Sequence, residues 1–313
     1  MNPFTDAILP LLLIALSGLG LRRIGFFTPE RRQALEVTAY YVLVPALIVS
    51  RLARADFGAD LLGPLALAVL LPVFSVPLLL LALRAVLRRP PFWLQGPALP
   101  CTLQGIIRNN VFITLAIGQA VMGDRGALLM ALAAMFNMPA ANLLSVGALV
   151  HFGHGGRATF TRALRALASN PLILATSVGL ALGLSDLPLP GPLLRGADML
   201  ADGVLPLIML AVGAGLTWPA LRGGVMPLVF TSVFKLLAMP ALGLLVARLL
   251  GAGPELTFAV ILFHAAPAAA GAYLLARQLG GDAELMAAMV SVQTAVAAVT
   301  MPLLLALAEG LLT

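Results

Sequence analysis

The chain has 313 residues, 61% of them hydrophobic and 10% charged, with a mean hydropathy of +1.03 and a formal net charge of +6. A water-soluble globule must cover itself with polar groups, so this balance excludes soluble enzymes and nucleic-acid binders and makes the chain a polytopic membrane protein. The single cysteine, Cys101, excludes an internal disulfide framework and reads as a small buried hydrophobe.

A helix needs about 17 to 25 apolar residues to cross a bilayer. Such stretches run over 5–21, 36–53, 62–84, 101–122, 126–150, 168–185, 196–217, 225–250, 254–275 and 282–308. The connections are brief and carry helix breakers, as in Arg89-Pro90-Pro91 and Leu187-Pro188-Leu189-Pro190-Gly191-Pro192. No Lys or Arg precedes the first apolar run, while Arg22 and Arg23 follow it. The run therefore reads as a span rather than a cleavable leader, and holds the start of the chain outside.

Basic residues test the count of ten. One set of loops carries Arg22, Arg23, Arg31, Arg32, Arg84, Arg88, Arg89, Arg157, Arg162, Arg165, Arg222 and Arg277; the other carries Arg51, Arg54, Arg125, Arg195 and Arg248. The richer side is expected to be cytoplasmic, which puts both termini on the outer, periplasmic face of a bacterial inner membrane and the 151–167 loop inside.

The chain also reads as two copies of one unit. Pro10, Pro45, Pro64 and Pro77 recur as Pro171, Pro206, Pro227 and Pro240 at offsets of 161 to 163, and Met122-Gly123-Asp124 recurs as Gly280-Gly281-Asp282 at 158. With five spans per copy, 1–156 and 157–313, the second copy is inverted relative to the first. Inverted repeats of this kind build transporters whose binding site lies near the bilayer midplane.

Arg108 and Lys235 are the basic residues that fit no loop. A cation near the bilayer centre costs at least about 2.5 to 3.5 kcal/mol and normally faces a partner or a wet cavity. Lys235 also has the alternative of snorkelling to an interface. Arg108 is followed by Asn109 and Asn110, and asparagine is a poor helix-interior residue but a strong N-cap. Gly105 to Asn110 is therefore expected to unwind, with a new half-helix starting near Asn110. The repeat offset carries Asn109 onto Pro267, which breaks a helix in its interior and suits the start of another, so the ninth span should break through His264-Ala265-Ala266-Pro267-Ala268. Two half-helix N-termini at one point, each with roughly half a positive charge and free backbone donors, favour an anion.

Every Asp and Glu of the chain falls in a loop or near a span end, which disfavours a cation or proton antiporter built on midplane carboxylates. Polar residues inside spans that are candidates to line the pocket are Tyr40, Tyr41, Gln104, Thr114, Gln119, Asn142, Ser232, Tyr273, Gln293 and Thr294. Asn142, Gln293 and Thr294 lie on the spans that follow the two breaks and are the favoured pocket residues among them. Pro45 and Pro206 are expected to kink the second and seventh spans, and His264 to cap the start of the ninth or to titrate. No zinc-spaced His-Glu pair, Gly-x-Ser-x-Gly elbow or P-loop occurs, so no enzyme activity, metal, cofactor or ATP use is expected.

Several runs resemble the auxin efflux carrier family nearly end to end. They are Leu21-Arg22-Arg23-Ile24-Gly25-Phe26-Phe27, Tyr41-Val42-Leu43-Val44-Pro45-Ala46-Leu47, Ile107-Arg108-Asn109-Asn110-Val111-Phe112-Ile113-Thr114, and Pro267-Ala268-Ala269-Ala270-Gly271-Ala272-Tyr273 with Gly280-Gly281-Asp282 beyond it. The resemblance implies an all-α fold of ten spans in a five-plus-five inverted repeat, with broken helices crossing at spans 4 and 9 as in bile-acid symporters and NhaA-type antiporters. It implies a scaffold of spans 1, 2, 6 and 7 and a transport bundle of spans 3–5 and 8–10. Bacterial relatives are described as permeases for dicarboxylates such as malonate and malate, and plant relatives export auxin. By position, Asn110 takes the family's crossover asparagine and Pro267 its ninth-span proline. Relatives often carry Thr or Ser where Ala268, Ala270 and Gly271 stand, which shifts recognition there from side chains to backbone.

The expected site thus comprises Arg108, Asn109, Asn110, Ala266, Pro267, Ala268, Asn142, Lys235, Gln293 and Thr294, around a small organic anion moved by alternating access. The other partners are the lipid bilayer, an open option of a homodimer through the scaffold, and an optional coupling proton or sodium ion. The alternatives are a proton-coupled exporter of aromatic or amphipathic acids and a membrane sensor that binds its ligand without moving it.

Overall fold

The structure, a computed structural model, describes residues 3–54, 59–153, 171–185, 190–215, 225–269 and 271–312. Arg157, Arg162, Arg165 and Arg222, and with them most of the 151–167 loop, lie outside the described residues. Among the described residues the fold is all-helical. We number the helices α1 (Pro3–Arg23), α2 (Pro29–Leu52), α3 (Ala59–Val86), α4 (Ala98–Ile107), α5 (Val111–Phe152) and α6 (Pro171–Leu184). They continue as α7 (Gly191–Asp202), α8 (Val204–Gly215), α9 (Met226–Leu249), α10 (Pro254–Ala265), α11 (Gly271–Gln278) and α12 (Ala283–Leu312).

Six described helical segments are long and apolar enough to cross a membrane: Pro29–Leu52, Leu61–Val86, Ala98–Phe152, Gly191–Gly215, Met226–Leu249 and Ala283–Ala308. Pro171–Leu184 and Pro254–Ala265 are shorter apolar helices. Large apolar side chains such as Leu78, Val299 and Leu307 stand exposed along these helices, as a lipid-facing surface requires. The chain is a multi-pass membrane protein.

Two compact units divide the chain without following its midpoint. The first takes 1–62, 111–135 and 168–216, the second 63–110, 136–167 and 217–313.

In the first unit α1 lies against α8 at glycines. A methyl group on Gly18 would strike the carbonyl oxygen of Leu210, and one on Gly213 that of Ala15. Membrane helices lack a hydrophobic drive toward one another, so such close backbone approach supplies the dispersion contact that holds them. Helix α2 packs on α6 and α7, with Leu52 against Gly179. At the end of α2, Arg54 grips Asp198 with two bonds of 2.8 Å, and Arg51 reaches Asp124 at 3.1 Å and Asp198 at 3.7 Å. This paired fork is the charge-assisted arrangement arginine is suited to.

The long α5 is two helical pieces folded back on each other at Gly123, where φ is 61° and ψ −148°. Only glycine adopts that conformation at low cost. Gly126 then packs so tightly on the Gly118 carbonyl that neither position has room for a methyl group. Gly280, between α11 and α12, also has positive φ (72°), one residue out of the 158-residue register that pairs Gly123 with Gly281.

Two single π-helical turns interrupt the ladder, at Ala39–Leu43 in α2 and Phe234–Ala238 in α9. Each ends two residues before a proline, Pro45 and Pro240. Proline has no N–H for the carbonyl four residues back and its ring crowds that carbonyl, so widening the preceding turn relieves both faults. The kink expected at Pro45 thus takes the form of a π-turn just ahead of it, while Pro206 sits at the start of α8 beside the turn at Gly203.

Opposite outcomes are expected for two glycine substitutions measured by thermal unfolding in detergent. Gly213→Leu, which forces α1 off α8, should cost about 1 to 3 kcal/mol or more. Gly147→Ala, where nothing lies within 4 Å, should be neutral or stabilising by up to about 1 kcal/mol through helix propensity.

Candidate functional site

The second unit contains two helix interruptions. Helix α4 stops at Ile107 and α5 begins at Val111, leaving Arg108, Asn109 and Asn110 non-helical; Arg108 is extended at φ −89°, ψ 123°. The unwound stretch is shorter than expected, because Gly105, Ile106 and Ile107 stay within α4. Helix α10 stops at Ala265 and α11 begins at Gly271, with Ala266 extended at φ −66°, ψ 143° and 267–269 non-helical.

The two interruptions are bonded to each other. The Asn110 amide N–H donates to the Pro267 carbonyl at 2.8 Å. Backbone groups freed by a break must find partners inside a membrane protein, since lipid offers none. Side chains from neighbouring helices supply the rest. Gln293 on α12 donates through Nε2 to the Gly105 carbonyl (3.0 Å) and accepts at Oε1 from the Ala268 amide (3.0 Å), so one fully buried amide joins both breaks. Asn137 on α5 donates to the Ile107 carbonyl at 3.3 Å.

Charge collects at the first break. Arg108 donates from its guanidinium to Asn142 Oδ1 at 2.8 Å. Lys235, in the π-turn of α9, is fully buried and donates from Nζ to Asn109 Oδ1. Snorkelling is thereby replaced by burial in the second unit. No Asp or Glu stands on α4 or within 108–110 or 266–269, and among the described residues no carboxylate lies within ion-pair distance of Lys235. Asn109 Nδ2, both amide ends of Gln104 and Ser232 Oγ are buried without a hydrogen-bond partner among the described residues. Buried polar atoms are usually paired, which sets these apart from the rest of the polar groups on α4 and α9. Ser232 precedes Lys235 by one helical turn and Gln104 precedes Arg108 by one.

Arg108, Asn109, Asn110, Asn142, Lys235, Pro267, Ala268 and Gln293 are joined by this set of bonds, and Ala266 is the first residue of the second break. Thr294 is not among them: its hydroxyl bonds back to the Val290 carbonyl of its own helix at 2.7 Å. His264 is not at the start of α10 but in its last turn, where Nε2 lies 3.1 Å from the Ala68 carbonyl of α3 and the ring packs on Gly243. Asn137 was not singled out by sequence, although an asparagine five residues ahead of Asn142 on the same apolar span is the same kind of signal.

A sequence profile described as "Membrane transport protein" matches residues 3–147 and 157–305. An uncharacterized transporter of Methanothermobacter thermautotrophicus is 26% identical over 308 residues, covering 96% of this chain and 96% of its own length. An uncharacterized transporter of Methanocaldococcus jannaschii is 22% identical over 249 residues, covering 78% of this chain and 79% of its own. With both halves of the chain matched, the protein belongs to the membrane transport protein family, the auxin efflux carrier family that its motifs resemble.

Proposed function

We propose that the chain is a secondary transporter of small organic anions, with malonate and malate as the leading substrates, working by alternating access in a bacterial inner membrane. The observation that carries this reading is the first break itself. Arg108 and Lys235 are held there on asparagine amides, with buried donors around them and no carboxylate on either broken segment. A cationic place of this kind, dry and rich in unengaged donors, prefers a carboxylate to a cation. In this reading Arg108, Asn109 and Lys235 meet the anion, with Asn110 holding the crossing through its backbone. Pro267 and Ala268 spend their backbone groups on holding the two breaks, through the Pro267 carbonyl and the Ala268 amide, and Ala266 opens the second break beside them.

The fold proposed around it is ten spans in a five-plus-five inverted repeat with both termini outside. The arginine asymmetry of the loops and the paired breaks 158 residues apart support it. Spans 1, 2, 6 and 7 form the scaffold in this proposal, and spans 3–5 and 8–10 carry the substrate.

Two outcomes test the reading. Asn109→Ala, which removes the amide that meets the anion and holds Lys235, should abolish flux of labelled malonate or malate in proteoliposomes while expression and insertion persist; undiminished flux would end the site assignment. Gln293→Leu strands the Gly105 carbonyl and the Ala268 amide, each worth about 1 to 3 kcal/mol when left unpaired. It should lower the unfolding temperature in detergent as well as the flux, whereas Thr294→Val should leave stability nearly unchanged.

A further inference from the structure

Lys235 has a peculiarity that anion binding alone does not use. Its position is built: the π-turn ahead of Pro240 sets the side chain at the first break, where Nζ bonds Asn109 Oδ1 at full burial. π-Turns concentrate at functional sites. The bond to Asn109 gives the ammonium a neutral partner only, so nothing within the described residues balances its charge. A carboxylate arriving at the break supplies that balance. From this geometry, and resting on the transport reading above, we infer that Lys235 carries a proton together with the anion, making the protein a proton–anion symporter.

The step balances simply. As the carboxylate enters, the Lys235 amine takes one proton from the same aqueous side and becomes an ammonium paired with it. On release to the other side the anion departs and the nitrogen returns its proton to water, so one proton crosses per cycle. Arg108 does not serve, because a guanidinium keeps its charge throughout.

Other ionisable groups on the elements packed against the π-turn are Cys101 on α4, Glu255 and His264 on α10, and Glu284 and Glu309 on α12, with Arg248 further along α9. Glu255 and Glu284 sit in the first turns of their helices, and Cys101 lies against Gly281 and Asp282. Of these, His264 faces the charge of Lys235, and its Nε2 is engaged by Ala68.

The test is calorimetric titration of the purified full chain in nanodiscs with malonate, at a pH where malonate is fully ionised. Two buffers of different ionisation enthalpy then report protons taken up on binding. Uptake of about one proton is expected, with affinity falling up to tenfold per pH unit on the alkaline side. Lys235→Arg, charged at every accessible pH, should remove the uptake, and His264→Gln should retain it. Malonate binding to the unmutated chain without proton uptake overturns the symport alone and leaves the anion site standing. Uptake that survives in Lys235→Arg, or that vanishes in His264→Gln, assigns the proton elsewhere and overturns it equally. No binding of malonate or malate to the unmutated chain overturns the transport reading and this inference with it.

Discussion

The constraint on which the rest depends is that a helix broken inside a membrane protein must return every freed backbone group to a partner. Here each break answers the other: the Asn110 amide takes the Pro267 carbonyl, and Gln293 bridges the Gly105 carbonyl to the Ala268 amide. Asn137 covers the Ile107 carbonyl. In hydrocarbon each of these groups left alone would cost several kcal/mol. Gln293 and Asn137 are therefore not scattered decoration but the partners that let two short irregular segments exist inside the second unit.

Once the breaks are satisfied, their chemistry is set by what surrounds them. Asn109 turns its oxygen to Lys235 and Asn142 turns its oxygen to Arg108, so both amide oxygens are spent on the basic side chains, and Asn109 keeps a buried donor in Nδ2. The π-turn at Phe234–Ala238 follows from Pro240 and fixes where Lys235 stands. A proline, ordinarily disruptive inside a helix, is thus a placement device, acting through the turn that precedes it. The first unit solves a different problem, joining α1 to α8 by bare glycine contacts and tying α2 to α7 with the Arg54–Asp198 fork.

Much of this was legible in the sequence. Asn109-Asn110 and Pro267 announced both breaks, because asparagine and proline act locally on the backbone and their effect needs no knowledge of neighbours. The gap between the apolar stretches 101–122 and 126–150 likewise anticipated the turn that falls at Gly123. Tertiary partners were less legible. Gln293 and Thr294 look alike as adjacent polar residues on one span, yet they face different directions, one into the breaks and one onto its own helix. Lys235 admitted both snorkelling and burial, which composition does not distinguish. His264 was misplaced because the sequence does not say how far α10 extends before Pro267 interrupts it. The shorter unwound stretch has a similar origin: Gly105 stays helical because its missing side chain admits Met289 and Gln293 alongside it.

The most direct measurement is an experimental density map of the protein in lipid with malonate present. The account predicts both chain segments interrupted, Asn110 amide to Pro267 carbonyl in hydrogen-bond contact, and malonate density touching Lys235 and Arg108. A map tracing either helix unbroken through Asn110 or Pro267, or placing malonate away from both cations, would contradict it.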